Sequence, residues 1–168
     1  YFNGSPVGSL AAPVLNAAGI QAISGRPDGI QAADINGDGR IDLVTATRDS
    51  SVAVLLNTTS SAAASASYLL TEVALPASFA TVETRVADVD ADGRPDVLAL
   101  DFANNRVAIL LNRTTPGSNS ANFESLPALA VSASPNALDV VDANGDGLPD
   151  LAIVHGSTSG SLALYRST

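Results

Sequence analysis

Three nine-residue windows, Asp34–Asp42, Asp88–Asp96 and Asp142–Asp150, recur along this chain at a constant interval of 54 residues. A fixed interval of that size marks a chain that stacks copies of one supersecondary unit, so the fold must be sought among repeat architectures. The windows read Asp34-Ile35-Asn36-Gly37-Asp38-Gly39-Arg40-Ile41-Asp42, Asp88-Val89-Asp90-Ala91-Asp92-Gly93-Arg94-Pro95-Asp96 and Asp142-Ala143-Asn144-Gly145-Asp146-Gly147-Leu148-Pro149-Asp150. Oxygen-bearing side chains fall at positions one, three, five and nine of each, and Gly always stands at position six.

Ten of the 17 acidic residues lie in these windows. A solvated acidic face would spread its charges, whereas calcium asks for six to eight hard oxygen ligands at roughly 2.3–2.6 Å, delivered by a chain that wraps one ion. Alternate side chains then point inward, Gly permits the sharp turn, and the position-seven carbonyls of Arg40, Arg94 and Leu148 supply a backbone ligand. The plainer reading, three acidic turns without metal, leaves three or four carboxylates repelling one another in each window. Three calcium sites are therefore expected. The middle window, with four Asp where the others have three and an Asn, is expected to bind tightest if charge count controls affinity. An EF-hand is excluded because position twelve holds Thr45, Ala99 and Ile153 instead of Glu, and a dockerin because its loop runs into a helix and repeats at a shorter interval.

Strand-length apolar runs flank every window. Gly29–Ala33, Thr84–Ala87 and Ala137–Val141 lead in, and Leu43–Thr47, Val97–Leu100 and Leu151–Val154 lead out. After a polar turn comes a third run, at Val52–Asn57, Val107–Asn112 and Ser161–Tyr165. A weaker fourth run is read at Tyr68–Leu75 and Phe123–Val131, with a counterpart near Leu10–Leu15, and 59–67 is read as a loop. Each unit is thus a four-stranded meander, and the expected fold is all-β, of β-propeller type, with three four-stranded antiparallel blades. The unit boundaries fall near 20–75, 76–131 and 132–168 within a single repeat domain, with 1–19 supplying an outer strand to a neighbouring or closing blade.

Composition narrows the function. A net charge of −9 with only eight Lys and Arg argues against a nucleic-acid partner. The absence of Cys removes disulfides, thiolate metal sites and thiol nucleophiles. No apolar run reaches the roughly 20 residues that span a bilayer, so membrane insertion is not expected. The opening Tyr1-Phe2-Asn3-Gly4 is read as the start of an excised or processed piece. His155 is the sole His and has no Ser-His-Asp partnership in sequence, and the acids outside the windows (Asp28, Asp49, Asp101, Asp139, Glu72, Glu83 and Glu124) form no recurring pair. No catalysis is expected. N-x-S/T sequons occur at Asn3, Asn57 and Asn112.

The Asp-x-Asp/Asn-x-Asp-Gly-x-x-Asp loop between two strands, with Leu55-Leu56-Asn57 and Leu110-Leu111-Asn112 closing the third, resembles FG-GAP/VCBS repeats, the blades of integrin-α-like β-propellers. The resemblance covers nearly the whole chain. It implies calcium in the loop joining the first two strands of a blade, held by Asp34, Asn36, Asp38 and Asp42, by Asp88, Asp90, Asp92 and Asp96, and by Asp142, Asn144, Asp146 and Asp150. The Phe-Gly and Gly-Ala-Pro elements of integrin blades are missing, which places the chain nearer the bacterial and fungal VCBS-type branch. It further implies a secreted or cell-surface module binding a glycan or an extracellular protein, as a lectin or adhesin does; the alternative is a structural or accessory segment of a larger secreted enzyme. Three blades do not close a ring, since propellers need about four or more. Neighbouring blades or a second chain are therefore expected to complete it.

Overall fold

The computed structural model describes residues 20–63, 65–76, 78–156 and 160–167. The run at Leu10–Leu15, the role given to 1–19 and the sequon at Asn3 lie outside these residues.

Alternation of branched apolar and small residues produces strands throughout, and the described residues contain no helix. The first sheet orders β1 (Pro27–Ala33), β2 (Asp42–Thr47), β3 (Ser51–Asn57) and β4 (Tyr68–Ala74) as an antiparallel meander. The second repeats it with β5 (Thr81–Ala87), β6 (Asp96–Asp101), β7 (Arg106–Asn112) and β8 (Phe123–Ser125), while β9 (Leu129–Ala130) also pairs with β7. The third contains β10 (Pro135–Val141), β11 (Asp150–His155) and β12 (Ser161–Tyr165). The expectation of one unbroken fourth strand per blade is thus corrected in the second sheet. The run Phe123–Val131 is two short strands, because Pro127 interrupts it and has no N–H to give to the ladder. The third sheet shows three strands among the described residues.

The period reaches into fine detail. The pairing of first and second strands shifts register between Asp28 and Gln31, between Thr81 and Glu83, and between Pro135 and Ala137. Such bulges increase local twist, which lets successive sheets splay as blades.

The sheets pack face to face in chain order, with β1 beside β5 and β5 beside β10. Period-two alternation therefore gives the middle sheet two buried faces. Val97, Ala99, Ala108 and Leu110 join Val44, Val52, Val54, Leu56 and Phe79 in one core, while Leu98, Leu100 and Val107 join Leu138, Leu151 and Ile153 in the other. Each fully buried Leu or Val contributes roughly 1.5–3 kcal/mol by removal from water. Polar links cross both seams: the Ala46 N–H donates to Thr84 Oγ1 at 3.2 Å, and the Leu138 N–H to Glu83 Oε2 at 2.7 Å. On the third sheet Val154, Leu162 and Leu164 remain exposed, and β12 pairs only with β11 among the described strands.

Candidate metal centres

Each acidic window is the connection from the first strand of a sheet to the second, so the three loops occupy equivalent places. Their hydrogen bonds repeat with the sequence. The position-one carboxylate accepts the backbone N–H groups of positions five and six: Asp34 from Asp38 at 3.0 Å and Gly39 at 2.8 Å, Asp88 from Asp92 at 3.1 Å and Gly93 at 2.8 Å, Asp142 from Asp146 at 3.1 Å and Gly147 at 2.9 Å. The position-five carboxylate accepts the N–H of position seven, as in Asp38 from Arg40, Asp92 from Arg94 and Asp146 from Leu148, at 2.8–2.9 Å. These are Asx-type turns, and they curl the chain around the carboxylates.

Position nine is different. Asp42, Asp96 and Asp150 are fully buried at the start of the second strand. One oxygen of each accepts an N–H from position two of its own loop: Ile35 at 2.8 Å, Val89 at 2.8 Å and Ala143 at 3.2 Å. The other accepts an N–H at or beyond the end of the third strand: Asn57 at 2.7 Å, Asn112 at 2.7 Å and Ser167 at 2.9 Å. Burial pushes the Asp42 and Asp96 carboxyls above the ordinary carboxylate value, against the pull of those N–H donors. Asp38 is also opposed by desolvation, yet the Arg40 N–H, the Asn36 carboxamide and the Arg40 charge hold it below its ordinary value. Asp146 is lowered by the Leu148 N–H and by Asn144.

The middle loop brings carboxylate oxygens of Asp88, Asp90 and Asp96 within 4.8 Å of one another. Two ligands on opposite sides of one calcium ion stand roughly twice 2.4 Å apart, so this spread is the right size for a shared ion. In the first and third loops position three is Asn36 or Asn144, whose Nδ2 donates to the position-five carboxylate at 3.0 and 2.7 Å, respectively. All side-chain candidates at positions one, three, five and nine are hard oxygen donors, the chemistry that calcium selects and soft metals do not.

Gly93 illustrates how the backbone serves the loop. Its φ of +83° lies in the left-handed region, and an added Cβ would meet nothing within 4 Å. Gly93→Ala is therefore expected to cost only the backbone term, about 1 kcal/mol, in urea unfolding. A cost several times larger would show that the site is sterically closed.

Several residues of these centres had not been singled out as site residues from sequence. Asn57 and Asn112, read only as the end of a strand motif, anchor the loops: Asn57 Nδ2 donates to Ile41 O at 3.0 Å, and Asn112 Nδ2 to Pro95 O at 3.1 Å and to Ile35 O of the preceding loop at 2.8 Å. Asn112 is fully buried with its carboxamide so engaged, so the sequon there offers no accessible nitrogen to a glycan in the folded protein. Position seven contributes a side chain as well as its backbone. Arg40 and Arg94 each reach the position-five carboxylate of their own loop and, through Nε, the carbonyl of Asn57 or Asn112 at 2.5 and 2.7 Å. Arg113, which follows β7, places Nη1 3.0 Å from Asp90 and 2.9 Å from Asp92, and Nε 3.0 Å from Glu124.

Among the acids outside the loops, Asp28 pairs with Arg48, Asp101 with Arg106, and Glu83 with Arg85. Residues 47, 101 and 155, one period apart, are all buried: Thr47 bonds Ser51, Asp101 bonds Arg106 and Asn104, and His155 Nδ1 lies 3.1 Å from Ala133 O. His155 is thus a packed residue closing a turn.

An all-β chain whose blades each carry an aspartate-lined loop between their first two strands belongs to the class of acidic-loop propeller repeats. Comparison with family models gives the particular group: the FG-GAP-like repeat model matches residues 34–99 and 88–153, and the chain belongs to that family. No curated protein matches it. Repeats of this family are typically extracellular modules with binding or structural roles, and they often bind calcium. No helix among the described residues is long and apolar enough to cross a membrane.

Proposed function

We propose that the chain is a calcium-stabilised extracellular binding module that presents a glycan- or protein-binding surface, as part of a secreted or surface lectin or adhesin. The observation that carries the metal part is the convergence of Asp88, Asp90 and Asp96 on a space of calcium dimensions, within a loop scaffold built three times over. Three ions are proposed. Asp34, Asn36, Asp38, Asp42 and the Arg40 carbonyl hold the first; Asp88, Asp90, Asp92, Asp96 and the Arg94 carbonyl the second; Asp142, Asn144, Asp146, Asp150 and the Leu148 carbonyl the third. The ions would neutralise carboxylates that burial and mutual repulsion otherwise disfavour, and the module itself would carry no catalytic step. The exposed Val154, Leu162 and Leu164 face is where neighbouring blades or a second chain would add.

A second reading, a structural or accessory segment of a larger secreted enzyme, is favoured by the apolar cleft between the second and third sheets. This open cleft of about 360 Å³ is walled by aliphatic residues such as Leu98, Ile109, Leu129 and Leu151, with Tyr165 as its one aromatic and Asp90, Arg166 and Ser167 as its polar residues. Sugar recognition draws on aromatic faces, and this cleft is poor in them. Screening the chain on glycan arrays and matrix proteins, with calcium and with chelator, separates the two. Reproducible calcium-dependent binding supports the binding module; silence on both panels supports the accessory segment.

A further inference from the structure

The three loops differ in the cations that the chain itself places on them. The third has Leu148 at position seven and no arginine in ion-pair contact with its carboxylates among the described residues; Arg166 acts on Asp146 only as a charge beyond contact distance. The first has Arg40 on Asp38. The middle loop has two, Arg94 on Asp92 and Arg113 across Asp90 and Asp92. The fourth aspartate of the middle loop thus comes with a guanidinium of its own. Where the other loops use the carboxamide of Asn36 or Asn144 to donate to position five, the middle loop has Asp90, which cannot donate, and Arg113 Nη1 bridges the two carboxylates instead.

We propose that Arg113 is a tethered counter-cation of the middle loop, which calcium must displace to bind, so that Arg113 cancels the affinity that the fourth aspartate would otherwise add. The inference rests on the calcium reading above and deepens it. Asp90 is both a member of the converging carboxylate triplet and an acceptor of Arg113. An ion within calcium–oxygen distance of Asp90 would bring two like charges close together, and they repel. Arg113 has somewhere to go. Its backbone is pinned by its N–H to Asn122 O at 2.8 Å, its side chain is one-third exposed, and Glu124 holds Nε at 3.0 Å independently of the loop. Glu124 is thus a resting partner, and the arginine can leave Asp90 and Asp92 without losing every counter-charge. On this account the third loop, not the middle one, binds calcium most tightly.

The position-six glycines report on each loop separately, because their N–H groups donate to the position-one carboxylates. Calcium titrations of the labelled chain, followed by NMR at the amides of Gly39, Gly93 and Gly147, are expected to saturate Gly147 first. In Arg113→Gln the Gly93 midpoint should fall to lower calcium by roughly fivefold, the upper end of what an exposed ion pair is worth, because two carboxylates are released together. Gly147 should not move. Arg113→Lys keeps the charge and should stay within about twofold of the parent. Without calcium, Arg113→Gln should melt below the parent, and with saturating calcium the two should melt together. A Gly93 midpoint that is unmoved or raised in Arg113→Gln overturns the proposal while leaving the calcium reading standing. If none of the three glycines responds to calcium in the parent chain, the calcium reading fails and this inference fails with it.

Discussion

Stripping calcium with excess chelator is expected to lower the melting temperature of this chain by about 15 °C or more, compared with the same protein at free calcium a hundredfold above Kd. A ligand that binds only the native state adds about 2.7 kcal/mol per site at that excess, and three sites triple it. For a chain of this size each kcal/mol moves the midpoint by roughly 2–4 °C. The physical source is the loops themselves. Ten aspartates sit in three short windows, and Asp42 and Asp96 are buried deeply enough for their charged forms to be disfavoured in spite of paired N–H donors. Thermal melts by circular dichroism with calcium, with chelator, and with calcium restored give the measurement. Coincident curves would remove the metal reading from all three loops.

The second large effect is expected at Asp96. Its carboxylate accepts the Val89 N–H at the loop entrance and the Asn112 N–H at the end of β7, tying three segments of the middle sheet together. Asp96→Ala would leave one buried and one half-buried donor without partners, each costing about 1–3 kcal/mol, so a loss of about 2–5 kcal/mol is expected even in calcium-free protein. Calcium should not restore it, because the broken bonds belong to the scaffold. Asp139→Ala is the control: its side chain is 76% exposed, meets Arg85 at 3.5 Å and accepts only the exposed N–H of its neighbour Val140 at 3.0 Å, so a change within about 0.5 kcal/mol is expected. Urea unfolding of both variants decides the matter, and an Asp96→Ala cost under about 1 kcal/mol would show that position nine serves the metal alone.

Much of this molecule was legible in its sequence, for identifiable reasons. The loops declare themselves because one ion site needs many oxygens close together in the chain, and the strands β2, β3, β6 and β7 because both of their faces are largely buried and their apolar runs are almost unbroken. The break in the fourth strand of the second sheet is not legible in hydropathy, because Phe123–Val131 has the length and apolarity of one strand and only Pro127 marks the interruption. The roles of Asn112 and Arg113 had no local signal at all. Asn112 meets Ile35 across 77 residues, and Arg113 meets Asp90 across 23, distances that pattern within one window does not span. Likewise, a count of aspartates cannot show that one of them faces a guanidinium from the segment after β7.

The turn that follows Arg113 also leans on the blade before it: the Gly117 N–H donates to Asn36 O at 2.7 Å, and Asn36 Nδ2 donates to Ser118 O at 2.8 Å. One stretch of chain thus touches two successive loops, Asp90 and Asp92 from its start and Asn36 from its middle. The unit that repeats in sequence is therefore not the unit that can be cut out. Excising a single period after Asn57 would strip the first loop of the polar cover that buries Asn36. The smallest transplantable module is one period plus the connection between the third and fourth strands of its successor, and chimeras joined at that seam should keep both loops intact where chimeras joined at the period boundary do not.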